Sequence, residues 1–420
     1  VQNRKIIVIG AGPAGMMAAI RAAEYKAGVI LLEKNSSLGR KLLLSGKGRC
    51  NLTNACGLDA FLGRFSGNAD FLRDAFGKFF NLELMGFFEK RGLKLKVERQ
   101  ERVFPVTDSS ASILQVLNKE LVKQNVKITT NAQVKEILFV KGQIAGVKLA
   151  DGKIINANKV ILATGGVSYG FTGSTGDGIR FAQKSGHRIV PLAAGLVPWE
   201  IKQKYPKLLE GLTLKNIRLR ISDSKKSFES EIGELMFTSF GISGPLVFSL
   251  SAKVGDWLKK TPQLYVEIDL KPGLTQEQLE VRLLREFKEA PRKNIKNTLK
   301  TLLPMRLIDL SIVTLKMDGE KQVSHITQSE RKSLVSLLKG FKMDIKGLKP
   351  IEDGMVTRGG VSLKDVNPRT MESRVIKGLY FAGEIMDIDA DTGGFNLQAA
   401  FSTGYLAGES AAKTLGTVLS

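Results

Sequence analysis

Residues 4–15 read RKIIVIGAGPAG, and the rest of the fold can be worked out from that stretch. The basic pair Arg4-Lys5 leads into an apolar run, Ile6 to Ile9, which predicts a buried strand. Gly10, Gly12 and Gly15 follow at G-x-G-x-x-G spacing, and Pro13 suits a first helical turn, where its missing N–H costs nothing. Ala18, Ala19, Ala22 and Ala23 continue the helix. A second apolar run, Val29 to Leu32, ends in Glu33. Each part has a task in a dinucleotide-binding βαβ unit. Gly10 turns the chain out of the strand, Gly12 lets backbone approach a pyrophosphate, and Gly15 brings helix and sheet together. Ala14 lies in the same turn. Glu33 stands where a carboxylate accepts from ribose hydroxyls. The glycines and Pro13 cut the apolar run too early for a signal peptide, and Arg21 and Glu24 follow it.

Outside this unit the chain alternates strand and helix signals up to about residue 165, as an α/β sheet requires. Helices are expected over 71–91 and 109–124, the latter capped by Ser109 or Ser110. Strands are expected over 126–130, 134–140, 143–149, 153–157 and 160–162. From 189 to 270 the signal is mostly β, as in Leu212, Leu214, Ile217, Leu219 and Ile221. Over 275–340 leucines fall at helical spacing, including Leu279, Leu283, Leu334 and Leu338. A strand-like segment, 341–351, follows. The α/β pattern then returns with a strand at Gly378–Glu384 and a small-residue helix over 397–412. A strand there needs a parallel sheet to join, and only the N-terminal part supplies one. The expected organisation is a discontinuous first domain (1–189 and 355–420), a β-rich insertion (190–271 and 341–354) and a helical domain (272–340).

Composition narrows the function. Of 420 residues, 43% are hydrophobic and 25% charged, ordinary for a water-soluble globular chain. No apolar run approaches the roughly 18 residues of a membrane span. Two cysteines build no disulfide framework, and cytoplasm is the expected compartment. The net charge is +22. Residues 1–189 hold 29 Lys and Arg against 14 Asp and Glu, so much of the excess accompanies the glycine fingerprint. A basic field steers an anionic dinucleotide or binds nucleic acid. With no basic tail, aromatic-interleaved stripe or zinc-ligand spacing, nucleic acid is not the expected partner.

Four more segments carry chemistry. Gly39 to Asn54 joins glycines, including Gly46, to cations, including Arg40, Lys41 and Arg49, and to the amides Asn51 and Asn54. That mixture suits a pyrophosphate or an electron-rich ring. Ala163-Thr164-Gly165-Gly166 and Gly173-Ser174-Thr175-Gly176-Asp177-Gly178 allow close backbone approach, and Asp177 could cap a helix. Glu384, after Gly383, can hold ribityl hydroxyls. Finally, Thr392-Gly393-Gly394-Phe395-Asn396-Leu397-Gln398 opens the last helix, whose free N–H groups favour negative charge. Cys50 and Cys56 are spaced C-x5-C, one residue more than in flavin disulfide reductases, which turns the second thiol by about 100° on a helix. His187 and His325 read as structural. Ser243 reads as a hinge residue lining the site, without a nearby His–Asp pattern.

Taken together, GAGPAG (10–15), SGKGRCNLTN (45–54), ATGG (163–166), GSTGDG (173–178), FTSFGISGP (237–245), GLYFAGE (378–384) and TGGFNLQ (392–398) closely resemble the bacterial three-domain flavoproteins known as aminoacetone-oxidase-like or BaiN-like FAD-dependent oxidoreductases. The resemblance implies an α/β chain with a Rossmann-like, glutathione-reductase-type FAD domain, an inserted β-rich domain and a small helical domain. It implies FAD held by Gly10, Gly12, Ala14, Gly15, Glu33, Lys34, Arg40, Lys41, Gly46, Asn51, Val134, Thr164, Gly165, Gly383, Glu384, Gly394, Asn396 and Leu397. Arg49, Asn54 and Tyr169 are the candidates beside a small-molecule substrate, and no metal is expected. Hydride transfer at flavin N5 is the expected reaction. Amine oxidation and reduction of a conjugated double bond both remain open, as do a nucleic-acid-modifying and a non-catalytic flavin-binding role. With no second fingerprint, a built-in nicotinamide domain is not expected, although NAD(P)H could visit the flavin face.

Overall fold

The computed structural model describes residues 5–261 and 263–416; Arg4 of the opening stretch lies outside them. The run Ile6–Ile9 forms the strand Lys5–Ile9 at the centre of a five-stranded parallel sheet. Its neighbours are Lys159–Leu162 on one side and Gly28–Leu32 on the other. Lys127–Thr129 and Leu379–Phe381 complete the edges. The late strand Leu379–Phe381 therefore joins the N-terminal sheet in parallel, which makes the first and last parts of the chain one structure. Ile6, Ile7 and Val8 are fully buried, as expected for a strand covered on both faces.

The helix Pro13–Glu24 and the last helix, Phe395–Gly416, pack on this sheet. Their approach is close because small residues meet. A Cβ on Gly404 would stand 2.2 Å from the Ala14 carbonyl oxygen, and one on Gly408 2.3 Å from that of Ala18. Besides an antiparallel pair of Ile189–Gly195 with Val356–Val361, two three-stranded antiparallel sheets accompany the parallel one. One is a meander of Val134–Val140, Gln143–Leu149 and Ile154–Asn156; the other joins Thr53–Asn54, Arg102–Pro105 and Leu95–Val97.

Contacts divide the chain into two units, residues 1–195 with 351–420, and residues 196–350. In the second unit, Thr213–Ser222 pairs with both Gly233–Thr238 and Leu264–Asp269. The ring continues through Gly241–Ser243, Trp199–Ile201 and Phe341–Leu348, so the antiparallel sheet closes on itself. Trp199, Leu219, Phe237, Val266 and Met343 fill it. The helices Gln276–Glu289, Met305–Leu315 and Gln328–Lys339 share that same core through Leu279, Leu307 and Leu334.

Some local expectations change. The stretch expected as one helix over 71–91 is broken at Phe79, where φ −156° and ψ 89° end Arg73–Lys78 before Asn81–Glu89 begins. Ser109 occupies the N-cap position of Ser110–Lys123 without a side-chain hydrogen bond, and the Ser110 hydroxyl donates to the Leu43 carbonyl. Asp177 is the first residue of its helix and not the cap, because its carboxylate is paired with Lys34 and Arg180. Ser243 is a buried strand residue paired with Met236 in the closed sheet, not a hinge residue.

Candidate cofactor site

The site lies in the first unit, at the C-terminal ends of the parallel strands, where open α/β sheets bind ligands. Gly10 has φ +98°, and a Cβ on it would meet the Ala163 carbonyl oxygen at 2.6 Å. A Cβ on Gly15 would lie 1.8 Å from the Gly10 carbonyl oxygen, so strand and helix can meet only through glycine. Gly12 differs. It caps the helix, and nothing lies within 4 Å of its Cβ position. Its open side is where a phosphate could reach the helix N-terminus.

Glu33 is buried at the end of the second strand. Its Oε2 accepts from the Ala11 N–H (2.9 Å) and its Oε1 from the Asn35 backbone (2.9 Å) and side chain (2.8 Å). The carboxylate is therefore fixed against the glycine turn. The Ala132 N–H donates to the Glu33 carbonyl, which brings the start of the Val134 strand alongside. Lys34 pairs with Asp177 at 2.6 Å, and Arg40 donates to the Asn35 side chain.

Further along the sheet edge, Lys41 Nζ donates to Glu384 Oε2 and to Ser168 Oγ, both at 2.7 Å. Ser168 Oγ and the Thr357 N–H reach Glu384 Oε1 at 3.1 and 2.7 Å. The helix Arg40–Leu44, the loop after Lys159–Leu162 and the strand Val356–Val361 thus converge on one carboxylate. Ser168 and Thr357 escaped the sequence reading because no motif marks them; only their distance in space from Glu384 does. Gly383 (φ +75°) faces Ala14, and Gly165 has φ +71°. Gly394 (φ +97°) leaves no room for a side chain, since its Cβ would sit 2.4 Å from Thr53 backbone. Leu397 is in the first turn of the last helix, whose leading N–H groups have no intrahelical acceptor.

Of the buried polar atoms without a hydrogen-bond partner among the described residues, two, Asn51 Oδ1 and Thr164 Oγ1, belong to segments of this site. Buried polar atoms are normally satisfied, so both fit a ligand group. With the open face at Gly12 and the fixed Glu33 carboxylate, the residues present suit FAD.

Of the other candidates, all but Tyr169 are drawn into the protein's own structure. Arg49 stacks over Phe104 and pairs with Glu98 and Asp108 at 2.5 and 2.6 Å, so it braces the three-stranded sheet. Asn54 is buried, donates to the Gln100 and Gly393 carbonyls and accepts from the Cys56 N–H. Asn396 closes its own loop through both the N–H and the carbonyl of Ala390. Gly46 (φ +57°) packs on the Asn51 backbone. Tyr169 has φ +53°, and burial, with the Asp353 charge, holds its hydroxyl above the ordinary tyrosine range. Both cysteines are free, and burial pushes the Cys50 thiol up to about 12, unsuited to thiolate chemistry. His187 is buried between Ser373 Oγ and the Ala182 carbonyl, a structural setting. Among the described residues no group of His, Cys, Asp and Glu could hold a metal, and no helix is long and apolar enough to cross a membrane.

A glycine cradle at the C-terminal ends of the parallel strands, a buried carboxylate fixed beside it and a second glycine turn at the last helix suit a dinucleotide cofactor on a Rossmann-type domain. The chain belongs to the HI0933-like family, whose Rossmann-domain model matches residues 4–410. It is 32% identical over 97% of its length, and 99% of the relative's, to a 3-dehydro-bile acid delta(4,6)-reductase of Clostridium scindens. It is 31% identical over 95% of its length, and 96% of the relative's, to a ribosomal RNA dihydrouridine synthase of Escherichia coli. In fold it is similar to a 3-ketosteroid-delta4-(5alpha)-dehydrogenase of Rhodococcus jostii, with TM-score 0.54, 15% identity and 98% and 97% of the two chains covered. The expectation against a nucleic-acid partner is not supported, because a relative matched over nearly its whole length carries a ribosomal RNA activity in its name.

Proposed function

We propose that this chain uses FAD to reduce a carbon–carbon double bond conjugated to a carbonyl, and that the bond is C5=C6 of a uracil base in ribosomal RNA. The observation that carries the reading is the full-length similarity to two enzymes whose named activities share one chemistry. A 3-oxo steroid unsaturated at position 4 and a uracil ring both place an electron-poor carbon β to a carbonyl. The net charge of +22 favours the polyanionic substrate. The greater identity to the bile-acid reductase supports a steroid-like enone as the second reading.

When bound, FAD supplies a hydride from reduced N5, and NAD(P)H is the proposed donor that restores it. Gly10, Gly12, Ala14, Gly15, Glu33, Lys34, Arg40 and Val134 hold the adenosine and pyrophosphate half. Lys41, Asn51, Thr164, Gly165, Gly383, Glu384, Gly394 and Leu397 shape the flavin half. The first N–H groups of the last helix stabilise negative charge beside them. Hydride arrives at C6 of the base and a proton at C5. Tyr169, the substrate-side candidate whose phenol carries a transferable proton, is the proposed proton donor.

The test is anaerobic incubation of the holoprotein with NADPH and ribosomal RNA from cells lacking the gene, followed by nucleoside mass spectrometry. Dihydrouridine, a uridine with two added hydrogens, is the expected product. Tyr169→Phe should slow its formation roughly 100-fold, the low end for loss of a general acid, with flavin reduction by NADPH retained. Turnover of a steroid dienone without dihydrouridine would transfer the assignment to the second reading.

A further inference from the structure

We propose that Lys47 and Arg99 form a cationic rim that grips the sugar-phosphate backbone on either side of the base presented for reduction. The inference rests on the RNA reading above and names the part of the surface that would engage the polynucleotide. Lys47 lies in the turn 46–48, where it has φ +58° between Gly46 at +57° and Gly48 at +85°. Arg99 opens a short turn whose next residues, Gln100 and Glu101, have φ +59° and +56°. Non-glycine residues in this left-handed region are strained, and such strain collects at ligand clamps.

Both turns are held by the protein rather than left to fluctuate. The Cys50 N–H donates to the Ser45 carbonyl across the first, and a Cβ on Gly46 would lie 2.8 Å from the Asn51 nitrogen. In the second, the Gln100 carbonyl accepts from Asn54 Nδ2 (2.9 Å) and the Glu101 carbonyl from the Ala55 N–H (2.8 Å). Asn54 also donates to the Gly393 carbonyl at 3.3 Å. The turn carrying Arg99 is thereby tied through one side chain to the Gly393-Gly394 turn of the cofactor site.

The charges point to an outside partner. The nearby carboxylates Glu98 and Asp108 are taken by Arg49 and Lys96. The remaining acid of the turn, Glu101, is exposed and paired with neither cation. Lys47 and Arg99 are exposed, and no carboxylate is paired with either among the described residues. A bile-acid-like enone offers these two cations at most a single carboxylate. A phosphate backbone offers each an anion without demanding a particular sequence.

The experiment measures anisotropy of fluorescein-labelled oligouridylate with the FAD-loaded full chain across a salt series. For wild type, binding weakens steeply with salt. For K47E/R99E, affinity at low salt should fall at least about 10-fold, and the log–log salt slope should shrink by about 1.4, two single-strand contacts at about 0.7 each. K225E/K226E makes the same charge change on exposed lysines of the second unit and should leave the slope near wild type. If the reversed pair loses flavin absorbance, K47M/R99Q supplies the slope instead. An unchanged slope in a flavin-loaded variant, or an equal loss in K225E/K226E, overturns the rim while wild-type binding keeps the RNA reading standing. Absence of wild-type binding at any salt overturns both.

Discussion

Gly12 shows how much one missing side chain can matter. Gly10 and Gly15 are excluded from substitution by the protein itself, because added carbons would strike backbone. Gly12 faces open space, so Gly12→Val should fold and yet fill the volume through which a pyrophosphate reaches the helix end. The variant is expected to purify with a wild-type circular dichroism spectrum and without the flavin absorbance near ~450 nm that marks bound FAD; a stoichiometric flavin content would refute the assigned role. His187 gives a pH prediction of definite sign. Burial lowers its pKa below the ordinary 6.5, against weaker opposing effects of the Ala182 carbonyl and Asp365. The unfolded chain therefore takes up a proton at a pH where the folded one does not. Stability from this group is full above about 6.5 and is lost as pH falls toward the folded value, at up to about 1.4 kcal/mol per pH unit. Urea midpoints at pH 7.5 and 5.5 should show wild type losing more stability than His187→Gln over this interval. Equal losses would remove His187 from the account.

At the scale of elements, the pairing of Pro13–Glu24 with Phe395–Gly416 is the contact most exposed to a single substitution. Gly408 is set so that a Cβ would lie 2.3 Å from the Ala18 carbonyl oxygen. Gly408→Leu must push the two helices apart, and overpacking of this kind costs about 1–3 kcal/mol or more. Thermal melting should show a clear drop in Tm, with Gly416-side fraying unable to relieve it, because Ala411 and Ala412 beyond the contact are also buried. An unchanged Tm would mean the helices are not so tightly joined. These two helices and the five-stranded sheet were legible in sequence, since glycine spacing, apolar runs and alanine-rich faces are local signals. The closure of the antiparallel ring was not. It depends on Thr213–Ser222 pairing with Leu264–Asp269, more than 40 positions away, and alternation along either strand is the same in an open sheet. The break at Phe79 was hidden for a different reason. Phe76, Phe79, Phe80 and Phe87 keep helical spacing across it, and Phe79 instead stacks on Tyr405 with centroids 4.4 Å apart. In the candidate site, the tight glycine turns were legible as backbone geometry, and Gly10, Gly165, Gly383 and Gly394 all have positive φ. Arg49, Asn54 and Asn396 were not legible, because the same polar side chain serves a ligand or a neighbouring carbonyl, and here neighbours claim all three.

The charge of the whole molecule separates the two substrate readings more directly than any one residue. Both units carry an excess of cations, 35 Lys and Arg against 23 Asp and Glu in the first and 28 against 18 in the second. Many cations are already paired, as in Lys41 with Glu384 and Arg188 with Asp365, and such pairs contribute little to a distant field. The unpaired remainder attracts an extended polyanion by releasing its counterions, a gain that grows with every phosphate engaged. A steroid-like substrate engages few or none. Binding of ribosomal RNA to the FAD-loaded chain is therefore expected to weaken roughly 100-fold between about 50 and 200 mM salt, the loss for about five single-strand phosphate contacts. The apparent affinity for a neutral dienone should change less than about twofold over the same range, because screening acts only on charge. Titrations of both ligands on one preparation check this. A flat RNA curve would leave the +22 charge as a solvated surface and remove the main argument for a polynucleotide substrate. A steep RNA curve together with dihydrouridine formation would mean that the excess cations select the substrate, while the FAD domain supplies a reaction that its steroid-reducing relative shares.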